Sequence, residues 1–334
     1  MKNFFFVIPV FKDIITGGTK YDFKIVSELK KKMFKVNVIP YEYKKHNKLK
    51  LLLKVFNIPD NSIICIDALL APFMKNVIPI LNKKFEIIFL IHHPTSQENA
   101  NNPMILINNY FAERITYSHS HKLIVVSSYI EKQTKKFLSN RKKIFTVNPG
   151  IDNIFFKQKH KKNRNNVICI GNIIERKGYD VLIEAMSKIP GNWKLFIIGN
   201  YNVDEKYFSS LKKKICEYNL GDKIQFLGTL KQKKLISYMK KSKIFVSPTY
   251  FEGFGIALLE SAIFGLKVIT SDLPVLRDTL KSQNVDYITP GNVNEFAKSI
   301  SINLNSKNKM KTSYSREQFT WKNSARKFLY AIKK

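Results

Sequence analysis

A chain of 334 residues with 44% apolar and 13% aromatic side chains is long enough for two domains with separate cores, which excludes a disordered or fibrous protein. Its 57 basic and 25 acidic groups leave a net charge of +32, spread over both halves of the chain rather than gathered in a tail. The charge suits an anionic membrane surface as partner and equally fits the Lys-, Asn- and Ile-rich bias of the whole composition; without an aromatic-interleaved RNA motif or zinc spacing, no specific nucleic acid is expected.

The start, MKNFFFVIPVFKD, holds too short an apolar run for a signal peptide or a membrane span, and no later segment approaches ~20 apolar residues. The expectation is a cytoplasmic chain, peripheral on the inner face of a membrane if it meets one. Its three separated cysteines, Cys65, Cys169 and Cys216, read as reduced core residues.

FFFVIPV (4–10) reads as the first strand, followed by a loop with Thr16, Gly17, Gly18 and Thr19 and then a helix through YDFKIVSELKKKM. Strand, glycine turn and helix in that order can seat a phosphate, although a plain turn explains two glycines as well. Further apolar runs at KVNVIP, SIICID, EIIFLIH and KLIVVS alternate with helical intervals, the pattern of an α/β fold with a doubly wound parallel sheet. The third run leads into His92 and His93. Ligands bind beyond the carboxyl ends of such strands, so this histidine pair is well placed to meet a substrate. Either ring could instead only hydrogen-bond a loop, and the sequence leaves open which of the two faces a ligand.

The charged, Gly-free stretch NIFFKQKHKKNRNN (153–166) reads as a linker, with the domain boundary near Phe155. A second domain then opens with the strand NVICI, ending at Gly171, and with Arg176-Lys177-Gly178 ahead of an amphipathic helix. A planar cation and a point cation at the mouth of a sheet suit a diphosphate, since a helix start otherwise disfavours positive charge. Strands follow at WKLFIIGN, KIQFLGTL and KIFVSPT. The last runs into SPTYFEGFGIALLE (247–260), where Gly253 and Gly255 let a ligand approach and the free amides at Ile256 and Ala257 form an anion seat. Two carboxylates flank that seat: Glu252 in the loop, and Glu260 two turns along the helix. Each alone reads as an ordinary exposed glutamate; the pair around an anion seat does not.

Residues 252–260, EGFGIALLE, resemble the E-x7-E signature of retaining glycosyltransferases of family 4, which have the GT-B fold of two Rossmann-like domains facing a cleft. IFTVNPGID (144–152) and KVITSDLPVLRD (267–278) resemble that family's neighbouring strand-and-turn segments, and FTWKNSARKFLYAIKK resembles its terminal helix. The resemblance implies an acceptor-side domain over 1–155, a nucleotide-sugar domain over 156–312, and a helix in 313–334 that crosses back to the first domain. Its implied activity is transfer of a sugar from a nucleoside diphosphate sugar to a hydroxyl of a glycan or lipid-linked acceptor. Glu252 would face the donor sugar and Glu260 the ribose, with a histidine of the His92–His93 pair at the sugar or acceptor. The diphosphate would lie among Gly17, Gly18, Arg176, Lys177, Phe254, Gly255 and Ile256, and neither a metal nor another cofactor is expected. The family's first clamp arginine is here Asn172, a departure that puts the full clamp in doubt. A nucleotide-sugar epimerase or phosphorylase on the same fold, or a non-catalytic basic nucleotide-binding protein, are the alternatives.

Overall fold

Strands buried on both faces read as continuous apolar runs, and runs of that kind supply both sheets of this protein. The computed structural model describes residues 3–11, 16–32, 35–42, 48–97, 103–138, 142–156, 165–281, 284–306, 314 and 319–334. The chain divides into two units, one formed by residues 1–150 with 317–334 and the other by residues 151–316.

In the first unit the order is β1 (Phe4–Val10), α1 (Gly17–Lys31), β2 (Val36–Glu42), α2 (Lys48–Phe56), β3 (Ile63–Asp67), α3 (Ala71–Met74), α4 (Ile78–Leu81), β4 (Glu86–Ile91), α5 (Pro103–His119), β5 (Lys122–Val125), α6 (Ser128–Lys135) and β6 (Lys143–Thr146). The six strands pair in parallel in the order β2-β1-β3-β4-β5-β6. Chain direction across the sheet therefore reverses between β1 and β3. At such a switch point the loops leave opposite faces and open a crevice at the carboxyl ends.

The second unit runs α7 (Asn153–Phe156), β7 (Asn166–Ile170), α8 (Tyr179–Ser187), β8 (Lys194–Ile198), α9 (Glu205–Glu217), β9 (Ile224–Phe226), α10 (Gln232–Lys240), β10 (Ile244–Ser247), α11 (Ile256–Phe264), β11 (Lys267–Ser271), α12 (Pro274–Leu280), β12 (Val285–Ile288) and α13 (Val293–Asn305). Its sheet is also parallel, in the order β12-β11-β10-β7-β8-β9, with the switch point between β7 and β10. Tyr179, Leu182 and Met186 of α8 and Phe296 and Ile300 of α13 close one core around the inner faces of these strands. The last helix, α14 (Trp321–Lys333), belongs to the first unit and packs on α1. There Phe328 stacks on Phe6 at 5.9 Å between ring centroids, and Trp321 meets Tyr21 edge to face at the same separation. Fully burying one such ring stabilises the unit by about 1.5–3 kcal/mol.

The structure differs from the sequence expectation at four places. Helix α1 begins at Gly17, so Gly17 and Gly18 lie in its first turn and not in a loop. A capping box explains the early start: the Thr16 hydroxyl accepts from Thr19 N at 3.1 Å, and Thr19 Oγ1 accepts from Thr16 N at 2.8 Å. The expected linker at 153–166 opens instead with the α7 turn, whose Phe155 is buried and which packs on α11; residues 157–164 lie outside the described residues. Because α11 starts at Ile256, Glu260 sits just over one turn into the helix rather than two. Cys65 and Cys169 are buried, but Cys216, near the end of the surface helix α9, is exposed.

Candidate active site

In the second unit the switch point joins two loops. One leaves β7 through Gly171 and a single 3-10 turn, Glu175–Lys177; the other leaves β10 through Thr249, Tyr250 and Phe251 to the Gly255 start of α11. Gly178 makes the first loop possible. Its φ of +65° is left-handed, and a Cβ there would lie 2.2 Å from the Pro248 carbonyl oxygen of the second loop. The backbones therefore approach closely, and hydrogen bonds lace them together. Tyr250 N donates to the Arg176 carbonyl at 2.8 Å, and the Arg176 guanidinium donates to the Phe251 carbonyl at 3.0 Å. Thr249 Oγ1 lies within reach of both carbonyls, at 3.1 Å and 2.9 Å.

The two cations predicted to clamp a diphosphate are thus given different tasks. Arg176 is spent on backbone, whereas Lys177 reaches over Gly171 and forms an ion pair with Glu252, both groups largely buried. Beside the pair, α11 starts at Gly255, with φ +84° and no side-chain cap, so no side chain occupies its first amides. Phe254 is buried beneath this start, and Ile256 and Glu260 follow on the helix, Glu260 also buried. A buried lysine–glutamate pair next to uncapped amides is a place where an anion can take over the lysine.

In the first unit the switch point gathers a different set. His92, at the end of β4, points its Nε2 between two carboxylates: 3.1 Å from Asp22 Oδ1 on α1 and 3.5 Å from Asp67 Oδ2 at the end of β3. Gly18 lets α1 come this near, because a Cβ at that position would lie 3.0 Å from His92 Cδ2 and 3.3 Å from Nε2. Tyr21 packs edge-on against the ring at 5.2 Å and donates its hydroxyl to the Val147 carbonyl. Leu69 N donates to Asp67 Oδ1 at 2.8 Å, while Asp22 Oδ2 is buried without a hydrogen-bond partner.

Burial disfavours charge on every member of this cluster, yet the members respond differently. Burial alone would lower the His92 imidazolium, but the charge of Asp22 and the hydrogen bonds to both carboxylates outweigh it and raise the ring's pKa to about 10. Burial pushes Asp22 up to about 7 against the pull of His92. For Asp67 the hydrogen bonds and charge of His92 overcome burial and hold the carboxyl below its usual range. The three ligand-type atoms lie within 4.8 Å of one another, close enough for a metal ion, but the protonated ring nitrogen fills the place between the carboxylates that a cation would take. His93, next in the chain, is half-buried. The following turn is braced by buried Glu113 of α5, whose carboxylate accepts from Thr95 N at 2.5 Å, Thr95 Oγ1 at 2.9 Å and Ser96 Oγ at 2.5 Å.

Gly18 and His92 thus meet in the first unit, with Gly17 beside Gly18 at the start of α1, and Arg176, Lys177, Glu252, Phe254, Gly255, Ile256 and Glu260 share one loop-and-helix system in the second. Sequence reasoning missed Asp22, Asp67 and Glu113. Asp67 had a signal, as the one charged residue closing the otherwise apolar run SIICI. A cavity of about 550 Å³ around Glu86, Ser120, Lys122 and Lys143 lies at the amino ends of β4, β5 and β6, the wrong end of a parallel sheet for a ligand; there Lys122 is already matched by Glu86 at 2.6 Å and by the Ile332 carbonyl at 2.9 Å.

Two parallel six-stranded sheets, each with its glycine loops and charged groups at the switch point, define a GT-B protein. Residues 150–320, just over half of the chain and including the whole Lys177–Glu252 system, match the family "Glycosyl transferases group 1", and the chain belongs to that family. It is 31% identical over 162 residues to an uncharacterised glycosyltransferase of Methanocaldococcus jannaschii, a match covering 48% of this chain and 43% of that protein. Over 271 residues it is 28% identical to the O-antigen biosynthesis glycosyltransferase WclY of Escherichia coli, covering 73% of this chain and 69% of the relative. The chain therefore spans less than half the length of the first of these relatives. Among solved structures, HepE of Anabaena in complex with UDP and glucose superposes with a TM-score of 0.77 at 14% identity, covering 100% of both chains, a likeness of fold alone.

Proposed function

We propose that the protein is a retaining glycosyltransferase of the family 4 type, which moves a sugar from a nucleoside diphosphate sugar to a hydroxyl of a glycan or lipid-linked acceptor in surface glycan or glycolipid synthesis. One observation carries the reading: the Lys177–Glu252 pair stands beside the uncapped start of α11 at the β7/β10 switch point, inside the residues that match the family. Support comes also from the relative named for O-antigen biosynthesis and from the UDP complex of the HepE structure.

In the proposed reaction the bond between the anomeric carbon and the β-phosphate oxygen breaks, and its electron pair leaves on the diphosphate. The acceptor oxygen bonds the anomeric carbon and gives up its proton to the departing diphosphate oxygen. Charge grows on the leaving phosphate, and stabilising such charge with preorganised donors is the term that usually dominates catalysis. Lys177 and the amides of Gly255 and Ile256 supply it in this reading, with Arg176 fixing the loop that presents them. The first unit offers a second set of free amides at Gly17 and Gly18. Cations and amides meet the charge without a metal. Glu252, released from Lys177 when phosphate arrives, is left to face the sugar, and the carboxylate of Glu260 is assigned to the ribose hydroxyls.

The test is incubation of the full chain with a panel of UDP- and GDP-sugars, following release of nucleoside diphosphate and the anomeric configuration of the product by NMR. The reading expects release with at least one donor, an α-linked product from an α-linked donor, and a strong loss of kcat in Glu252→Gln. Release that is unaffected by Glu252→Gln, an inverted product, or no release from any donor would remove it.

A further inference from the structure

Asp22 is a costly residue for α1 to carry. It is fully buried, its Oδ2 has no hydrogen-bond partner, and its Oδ1 lies 3.1 Å from Nε2 of His92. Burying a half-satisfied carboxyl lowers stability, and Tyr21, Ile25, Val26 and Leu29 already dock the helix on its sheet. Packing therefore does not account for an acid at position 22, but its place against the His92 ring does.

Both carboxyl groups and Gly18 crowd one edge of that ring. Nε2 stands between Asp22 and Asp67, and a Cβ at Gly18 would press on Cδ2 and Nε2. The other edge carries Nδ1, which has no partner among the described residues, and the side chain keeps 15% of its surface exposed. Because the ring holds its charge to about pH 10, Nδ1 bears a proton and the open edge offers an N–H donor at the carboxyl end of β4, one strand from the switch point. A neutral ring would keep its single proton on Nε2, between the carboxyl groups, and turn a lone pair outward. The clamp thus decides whether the outer nitrogen donates or accepts. The oxygen that suits this donor is an uncharged one: with two carboxyl groups behind the ring, the cluster has no net positive charge to attract a phosphate, whereas a hydroxyl accepts from the N–H without bringing charge.

We propose, building on the sugar-transfer reading, that Asp22 is a positioning residue: together with Asp67 it clamps Nε2 of His92, so that the ring stays cationic and presents Nδ1–H as a fixed donor to a sugar hydroxyl. Asp22 itself touches no substrate. It acts through His92, and the clamp can be tested on the ligand-free protein.

The experiment has two arms, run on the full chain as wild type and as Asp22→Asn. Asp67→Asn, whose amide oxygen can still accept from Leu69 N, replaces Asp22→Asn if that variant does not fold. In the first arm, NMR of the His92 ring nitrogens follows their protonation without ligand. Wild type should be doubly protonated at pH 8, and the variant's ring should lose its proton at a pH about 1 or more lower. Tyr21 and Cys65, the other titratable groups near the cluster, are pushed up by burial and stay neutral through that range. In the second arm, kcat/KM with a sugar donor is measured from about pH 6.5 to about pH 9. The ratio of variant to wild type should fall about tenfold or more as pH rises, since only the variant loses its Nδ1 proton there, while affinity for free nucleoside diphosphate, which lacks the transferred sugar, should hold. A neutral wild-type ring at pH 8, an unmoved titration in the variant, or a ratio lowered equally at every pH, as lost packing alone would give, would each overturn the proposal. No turnover of any donor by wild type would remove the sugar-transfer reading and the role of Nδ1–H with it, and the first arm would show whether the clamp had failed as well.

Discussion

The two switch points hold their cations in opposite ways. In the first unit one imidazolium, His92, faces two buried carboxyl groups, and above about pH 7, where Asp22 ionises, the ring is outnumbered by its counter-charges. Lys177 of the second unit faces a single carboxylate beside a helix start that offers free amides but no negative group of its own. An outnumbered cation has nothing to gain from another anion, whereas a one-to-one pair next to bare amides can exchange its carboxylate for a phosphate that the amides also favour. On the proposed reading the first cluster stays charged and fixed, and the second opens to its ligand. Both statements can be broken by substitution.

The largest effect is expected at the fixed cluster. Removing the ring in His92→Ala strands Asp22 and Asp67 together in the interior, and breaking a buried pair in this way costs about 3–5 kcal/mol. Urea unfolding of wild type and variant at pH 7 measures the difference; a change of less than about 1 kcal/mol would mean that the carboxylates do not depend on the ring. The same cluster predicts a pH effect of definite sign. The folded ring keeps its proton until about pH 10 while the unfolded ring loses it near its ordinary value of 6.5, so the ring's contribution is complete below that value and is lost as pH rises toward 10. The charged groups facing it are Asp22 from α1 and Asp67 from β3, with Tyr21 and Cys65 close by and both pushed upward by burial. NMR of the His92 ring nitrogens should find it doubly protonated at pH 8 in wild type, with its titration moved down in Asp22→Asn. A ring that is already neutral at pH 8 in wild type would contradict the outnumbered-cation picture.

How much of this comparison could be read in the sequence depends on how local its causes are. Eleven of the strands and the glycine-led start of α11 were legible because apolar runs and turn residues are local signals, and E-G-F-G-I-A-L-L-E carried the second switch point in nine consecutive residues. The start of α1 was misplaced, although Thr16 and Thr19 at capping-box spacing could have corrected it. The Asp22–Asp67–His92 cluster had no local signature at all. Its members come from three elements, and only the strand order β1-β3-β4 brings them together. Likewise nothing adjacent in sequence says that Lys177 and Glu252, 75 positions apart, form a pair.

At the openable site the expected effects are smaller. If Lys177 changes partner from Glu252 to a phosphate, Lys177→Ala loses one charge-assisted hydrogen bond to the nucleoside diphosphate, a weakening of about 1–3 kcal/mol by calorimetry. It also leaves Glu252 as an unpaired carboxylate near the anion seat, which acts in the same direction. Unchanged affinity in Lys177→Ala at low salt would show that the lysine stays with Glu252 when ligand binds. Glu260→Ala should weaken nucleoside and sugar-bearing ligands by a similar factor, because a contact to ribose hydroxyls is uniform binding that hardly changes as the glycosidic bond breaks.

The smallest expected effect gives the sharpest comparison, because its sign is unusual. Glu252→Gln keeps the size of the side chain and removes its charge. On the proposed reading an arriving diphosphate separates Lys177 from Glu252 in wild type and then tolerates the carboxylate nearby; in the variant the lysine has no ionic partner to leave, and the repulsion is gone. Affinity for a free nucleoside diphosphate should therefore hold or tighten, by about 1 kcal/mol at most for a pair that is only partly desolvated. The turnover of a sugar donor should fall at the same time, since the group assigned to the sugar has lost the charge that would answer positive character at the anomeric carbon. Tighter nucleotide with slower transfer cannot come from a general loss of structure, which would weaken both. Weaker nucleoside diphosphate binding in Glu252→Gln would instead mean that the carboxylate is needed to hold the loop in place, and the second switch point would then be as fixed as the first.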